Sequence, residues 1–163
     1  MENLITRKTN FIIQLLFTFV LLLSLTNGNA QTDNPKYNKQ LADSLGADDY
    51  GMKMYVLVIV KPGSVKIDDK KKSDSLFRGH MQNIGHLVEI GKLMAAGPVK
   101  KNDKKYEGII ILDVKTIEEA KTLLEADPAI QANILETELY QWYGSAALPM
   151  YIKFHYDVMK KDY

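Results

Sequence analysis

The sequence predicts an α+β protein with the ferredoxin-like order βαββαβ. Strand-like and helix-like segments follow one another as strand, helix, strand, strand, helix, strand across residues 54–143, which is the order of a split β-α-β fold. The first and third strands are apolar at nearly every position, which is typical of strands that are covered on both faces. Two helices cover only one face of such a sheet, so a second copy of the sheet is the economical cover for the other.

The first half of this order contains one long helix between two strands. Residues 54–60 (MYVLVIV) form a β-branched run that predicts the first strand. A charged loop, residues 64–74, leads to the first helix at residues 75–91. That helix ends at Gly91, because glycine is favoured where a helix terminates. Residues 93–96 predict a short second strand.

The second half begins with another apolar run, residues 108–113, which predicts a third strand in a hairpin with the second. Thr116 and Glu119 have the spacing of a capping box, so they predict the start of the second helix. The helix ends before Asp127. After one further helical turn, residues 134–143 predict the fourth strand.

The N-terminus has the pattern of a secretory signal peptide. Arg7 and Lys8 precede an apolar run at residues 11–25, and small residues follow at positions 28–30. The apolar run is short for a membrane span, although an uncleaved N-terminal anchor is the alternative interpretation. We therefore expect residues 1–30 to be removed and the protein to be exported to a periplasm or secreted, without membrane attachment after cleavage.

The rest of the chain is predicted to contain a leader and one domain. Residues 31–53 are polar and form the leader, with one helical turn predicted near residues 40–45. Residues 54–163 form the domain, which includes an extra C-terminal helix at residues 149–160. Pro149 suits the first position of that helix.

Composition excludes several classes of function. Removal of Glu2, Arg7 and Lys8 with the signal leaves equal numbers of basic and acidic residues, so no nucleic-acid partner is expected. The chain has no cysteine, which excludes disulfides, thiolate catalysis and thiolate metal sites. His86 follows His80 by six residues and lies on another face of the helix, so no metal site is expected either.

His80 lies where a polar side chain is unexpected. On a helix, it shares one stripe with Phe77, Ile84, Val88 and Gly91, at the spacing that faces a core. A buried imidazole needs a hydrogen-bond partner or a pocket that another molecule enters. The sequence alone does not choose between these two.

A set of short motifs occurs in a fixed order along the domain. They are His80, Gly91-Lys92-Leu93, Ala96-Gly97-Pro98, Gly108, Glu119-Ala120 and Asp127-Pro128. With this set the chain resembles the YCII-related proteins of the dimeric α+β barrel superfamily. The resemblance implies a homodimer and an active-site pair formed by His80 and Asp127. Two positions depart from the family pattern, which often has an aromatic residue at Ala129 and a glycine at Asn133.

The predicted pair has two interpretations. A carboxylate bonded to an imidazole fixes its tautomer and raises its basicity, which suits general acid/base catalysis near neutral pH. Alternatively, His80 is a satisfied core histidine and Asp127 only caps the following helical turn. Arg78, two residues before His80, and Gly97-Pro98 are candidates for lining the pocket.

The sequence thus supports two functions. The first is a small-molecule enzyme of the lyase or isomerase type, in which His80 moves a proton, Asp127 orients it and no cofactor is required. The second is a non-catalytic dimeric module that binds a ligand or a partner, in which His80 only forms a hydrogen bond. The ligand itself is not identifiable from the sequence.

Overall fold

The computed structural model describes residues 34–160, and the predicted signal peptide lies outside this range. The chain divides into residues 1–37 and 38–163, and every element below belongs to the second unit. The helices are α1 (Lys39–Leu45), α2 (Lys70–Glu89), α3 (Ile117–Leu124), α4 (Pro128–Gln131) and α5 (Ile152–Val158). The strands are β1 (Met52–Pro62), β2 (Leu93–Pro98), β3 (Gly108–Leu112) and β4 (Leu135–Ser145).

The four strands form one antiparallel sheet in the order β2-β3-β1-β4. This is the strand order of the ferredoxin-like fold, so the predicted fold class is confirmed. The two most apolar strands, β1 and β3, occupy the centre. Val58 of β1, for example, pairs with Ile110 on one side and with Leu139 on the other.

The core lies between the sheet and the helices. Val56, Val58 and Val60 alternate along β1 and are at most 5% exposed, because they face the helical layer. Leu87 of α2 and Leu124 of α3 pack into the same cluster. Both long helices therefore cover one face of the sheet, as the sequence predicted.

Helix α2 begins earlier than the sequence predicted. Residues 70–74 were expected in a charged loop, but the helix already starts at Lys70, since the Asp69 side chain accepts bonds from the Lys71 and Lys72 amides. Lysine is a good helix former even where no apolar period marks the helix. The helix ends as predicted, before Gly91 with φ +67°.

Both departures from the family pattern lie between α3 and β4. Ala129 is fully buried in the core, where its side chain touches the cluster under the helices. Asn133 has φ +53°, a left-handed conformation that favours glycine and in which asparagine is the next most tolerated residue. Gly63 lies so close that an added Cβ would be 2.1 Å from the Asn133 carbonyl oxygen.

The two long helices leave the other face of the sheet uncovered, and we call it the open sheet face. Its central side chains are apolar, and the outermost are half exposed: Ile109 is 37% and Tyr140 50% exposed. Ion pairs flank this apolar area, Lys53 with Asp113 near one end of β1 and Lys61 with Glu138 near the other. The remaining apolar members are Leu57, Ile59, Ile111 and Trp142, which are partly buried, and Tyr55, which is fully buried.

An extra helix follows β4, as predicted. A 3-10 turn at Leu148–Tyr151 leads into α5. Proline occupies the first turn, where a missing amide hydrogen costs nothing. None of the helices in residues 34–160 is long and apolar enough to cross a membrane.

Candidate functional site

The structure brings His80 and Asp127 into direct contact. His80 Nδ1 lies 2.6 Å from Asp127 Oδ2, although 47 residues separate the two in sequence. The Asp127 side chain is 1% exposed and the His80 side chain 13%. The sequence predicted this hydrogen-bond contact, while the catalytic role assigned to the pair stays a prediction.

Asp127 uses its two carboxylate oxygens for two different purposes. Oδ1 accepts hydrogen bonds from the amides of Ala129, at 2.9 Å, and Ile130, at 3.4 Å, and so caps α4. Oδ2 is left for His80. Asp127 is therefore a helix cap and the hydrogen-bond partner of His80 at the same time, although on the sequence alone these were alternatives.

The Asp127 carboxyl stays ionised despite its burial. Burial raises its pKa, but the hydrogen bond and the charge of His80 and the two capping amides outweigh burial, so the pKa lies below its usual value of 3.8. An ionised carboxylate can only accept hydrogen bonds, so His80 Nδ1 must carry the proton that is shared with Oδ2. In the neutral imidazole, Nε2 then has a free lone pair.

The His80 ring is accessible on the edge that does not face Asp127. Within the described range, no protein group bonds to Nε2, and Nε2 is not one of the atoms sealed from solvent. Phe77 packs edge-on against the ring, with centroids 6.0 Å apart. The sequence predicted Phe77 on the buried stripe, but it is 48% exposed, because the buried side of α2 is centred on Asn83 and Leu87.

A glycine allows the close approach of α2 and α4. A Cβ at Gly79 would lie 2.4 Å from Pro128 Cγ, which is far inside van der Waals contact. Gly79 precedes His80 on α2 and Pro128 follows Asp127, so this contact sets the distance at which the pair meets. Sequence reasoning missed Gly79, although a glycine inside a helix is unfavourable and signals a packing requirement.

The other predicted pocket residues are not bonded to the pair. Arg78 is exposed on α2, and in the described part of the chain no ion pair joins it to an acidic side chain. Gly97 and Pro98 end β2, where they pair with Ile109 and Gly108 of β3. Their role in lining a pocket stays a prediction.

Sequence reasoning also missed Asn83. It is 8% exposed and lies one helical turn after His80, on the same side of α2. The sequence pattern that could have identified Asn83 is its position as a polar residue on the helix face that also carries Ile84, Leu87 and Val88. No cluster of three or more His, Asp or Glu side chains that could hold a metal ion occurs within residues 34–160.

The described residues thus form an α+β domain of the split β-α-β class, in which a largely buried His-Asp pair joins α2 to α4. The model of the YCII-related domain family matches residues 52–143, more than half of the chain, and the chain belongs to this family. The family predicted from the ordered motifs is thereby confirmed.

One similar solved structure is 5-chloro-2-hydroxyhydroquinone dehydrochlorinase from Burkholderia phenoliruptrix AC1100, in complex with 2,5-dihydroxybenzoquinone. It shares 16% sequence identity with this chain at a TM-score of 0.39. The match covers 55% of this chain and 93% of that one. No curated protein matches the chain.

Proposed function

We propose that this YCII-related protein is an enzyme that performs proton-transfer chemistry, of the lyase or isomerase type, on a small molecule. His80 moves the proton and Asp127 orients the imidazole. Arg78, Gly97 and Pro98 are proposed to line the pocket. One observation carries the proposal: the bond of 2.6 Å between His80 Nδ1 and Asp127 Oδ2, which leaves Nε2 without a protein partner among the described residues.

The pair has the properties of a general base. The carboxylate fixes the imidazole in the tautomer whose lone pair is on Nε2, and it stabilises the imidazolium that forms when Nε2 takes a proton. Because Asp127 is also held by the Ala129 and Ile130 amides, its carboxylate cannot rotate away from His80 without losing the α4 cap. The base is therefore held in position before a substrate arrives, which lowers the cost of the proton transfer.

A second candidate function is a non-catalytic module that binds a ligand or a partner. The observation in its favour is that the pair joins α2 to α4, so it contributes to the fold whether or not a proton moves. In that case His80 Nε2 only accepts or donates one hydrogen bond to the bound molecule.

The substitution His80→Asn separates the two functions. An asparagine amide nitrogen reaches about the position of Nδ1, so the bond to Asp127 is kept, but no group replaces Nε2. With a ligand found by thermal-shift screening of small metabolites, we expect His80→Asn to keep the fold and to lose turnover by about 10²–10⁴-fold. His86→Asn, an exposed position on the same helix, is the matched control and keeps full activity.

Unchanged turnover in His80→Asn would refute the acid/base proposal. A ligand that the wild type binds without any conversion, and that His80→Asn binds more weakly, would favour the binding module. The variant is informative in both cases, since its melting temperature reports separately on the fold.

We also propose that the protein is a homodimer in which two open sheet faces pack together. The apolar centre of that face and the ion pairs at both of its ends support this arrangement, because an apolar patch rimmed by charge is typical of a protein interface.

Leu57→Arg tests the dimer, because it places a charge at the centre of the face, and light scattering is expected to show a monomer. Ile90→Arg, at an exposed position where α2 ends, is the control that stays dimeric. A wild-type protein that is monomeric at micromolar concentration would contradict the dimer.

The proposed location is outside the cytoplasm. The basic residues, apolar run and small-residue site of residues 1–30 support it. Cell fractionation followed by N-terminal mass analysis is the test, and a mature chain that begins at Gln31 is the expected result. An intact N-terminus in the cytoplasmic fraction would contradict export.

A further inference from the structure

Asn83 is a buried polar side chain without a hydrogen-bond partner. It is 8% exposed, and its Nδ2 is sealed from solvent with no acceptor within residues 34–160. No other buried side-chain nitrogen or oxygen in that range lacks a partner. A donor left in this state destabilises a fold, so its presence requires an explanation other than folding.

The position of Asn83 links it to the proposed base. It follows His80 by three residues on α2, so the two side chains are neighbours on one face of the helix, with Cβ atoms about 5–6 Å apart. The amide torsion of asparagine is broad and roughly twofold. Asn83 Oδ1 is not one of the sealed atoms in residues 34–160, so a half-turn about this torsion places Nδ2 at the edge that solvent reaches, without any movement of α2.

We propose that Asn83 is the residue that binds the substrate's oxygen, and that the substrates of this site are small carbonyl compounds. This inference rests on the proposed function of His80. The Asn83 amide donates a hydrogen bond to the carbonyl oxygen, and it orients the neighbouring carbon towards His80 Nε2. An amide donor next to a proton acceptor is the combination that a carbonyl compound with a removable α-proton requires.

The reaction step balances without a co-reactant. His80 Nε2 takes a proton from the carbon next to the carbonyl group, so a C–H bond breaks and an N–H bond forms. The electron pair of the C–H bond forms a C=C bond, and the π pair of the carbonyl group moves onto its oxygen, which gives an enolate. Asn83 Nδ2 donates to that oxygen as its negative charge develops, and the proton returns to carbon in the reverse step.

Asn83→Leu distinguishes a ligand-binding role from a structural one. Leucine has nearly the same shape as asparagine and removes the unpaired donor, so the melting temperature is expected to stay the same or to rise. The proton-transfer rate is expected to fall by about 10²-fold, the usual effect of removing one such donor. Gln82→Leu is the matched control, because Gln82 is the exposed neighbour on the same helix.

The assay follows solvent-deuterium exchange at the α-carbon by proton NMR in D₂O, with pyruvate, 2-oxobutyrate and dihydroxyacetone as the probes. The same compounds are titrated into ¹⁵N-labelled protein. The side-chain amide signals that are missing in Asn83→Leu identify Asn83, and bound carbonyl compound is expected to shift them. A structural role of Asn83 would leave these signals unmoved.

The outcomes separate this inference from the function on which it rests. Loss of exchange in both His80→Asn and Asn83→Leu supports both. Loss in His80→Asn alone overturns the role of Asn83 and keeps the base. Loss in Asn83→Leu alone supports Asn83 as the ligand donor and refutes His80 as the base. If none of the three compounds binds to or exchanges on the wild type, the assignment of a carbonyl substrate class is wrong.

Discussion

Asp69 and Asp127 cap helices with nearly the same geometry, but they differ in burial and in what the second carboxylate oxygen contacts. That difference identifies the candidate site. Asp69 Oδ1 accepts from the second and third amides after it at 2.9 and 3.3 Å, and Asp127 Oδ1 does so at 2.9 and 3.4 Å. Asp69 is exposed and begins α2, the longest helix within residues 34–160, whereas Asp127 is buried and begins the four-residue α4. A cap needs only one oxygen, so the contact of Asp127 Oδ2 with His80 serves another purpose.

The largest expected effect is the loss of Asp127 itself. Asp127→Ala removes the cap and leaves buried His80 Nδ1 without its acceptor, so the free energy of unfolding is expected to fall by about 3 kcal/mol. Asp69→Ala removes a cap alone and is expected to cost about 1 kcal/mol. Urea denaturation of the two variants measures both values. Equal losses would mean that the second oxygen of Asp127 adds nothing to stability.

The next effect concerns the spacing of the two helices that carry the pair. Gly79→Ala drives a methyl group against Pro128, so we expect a loss of about 1–3 kcal/mol and a weaker His80–Asp127 bond. Gly85→Ala is the control on the same helix, since nothing lies within 4 Å of its added Cβ. There alanine is expected to stabilise α2 by up to about 1 kcal/mol. If both variants are stabilised, the contact between Gly79 and Pro128 does not set the spacing.

The smallest expected effect is the change in the free energy of unfolding at low pH, where Asp127 becomes protonated. Burial opposes its ionisation, but the His80 bond and charge keep its folded pKa below the usual 3.8. A depressed pKa means that its stabilisation is complete above the unfolded value and is lost as the pH falls through the folded value. The difference in unfolding free energy between the wild type and Asp127→Asn should therefore shrink only below about pH 4. A difference that shrinks already between pH 7 and pH 5 would contradict the lowered pKa.

The sequence predicted the features that depend on local pattern. The order of strands and helices along the chain, the Thr116 capping box and the end of α2 at Gly91 follow from apolar periodicity and cap chemistry, and the structure has all three. The start of α2 was wrong because the lysine-rich segment after Asp69 has no apolar period. The prediction that Phe77 is buried was wrong, because apolar spacing locates the buried face of a helix only to within one residue.

The candidate site was predictable only in part, because its geometry depends on contacts between distant segments. His80 stood out as a polar residue on an apolar stripe, but Asp127 was chosen as its partner from the family resemblance. Gly79 matters only because Pro128, far away in sequence, packs against it. Asn83 is notable only because the folded chain leaves its amide unpaired, and spacing alone does not reveal that.

The tautomer of His80 is the most direct test of the proposed base, and its measurement requires no substrate. Long-range ¹H–¹⁵N NMR of the imidazole, recorded where His80 is neutral, is predicted to show the proton on Nδ1 and the lone pair on Nε2. In Asp127→Asn, the amide oxygen keeps the cap and the amide NH₂ faces His80, so the tautomer is predicted to reverse. A wild-type imidazole with its proton on Nε2 would contradict the proposal that His80 is a base held by Asp127.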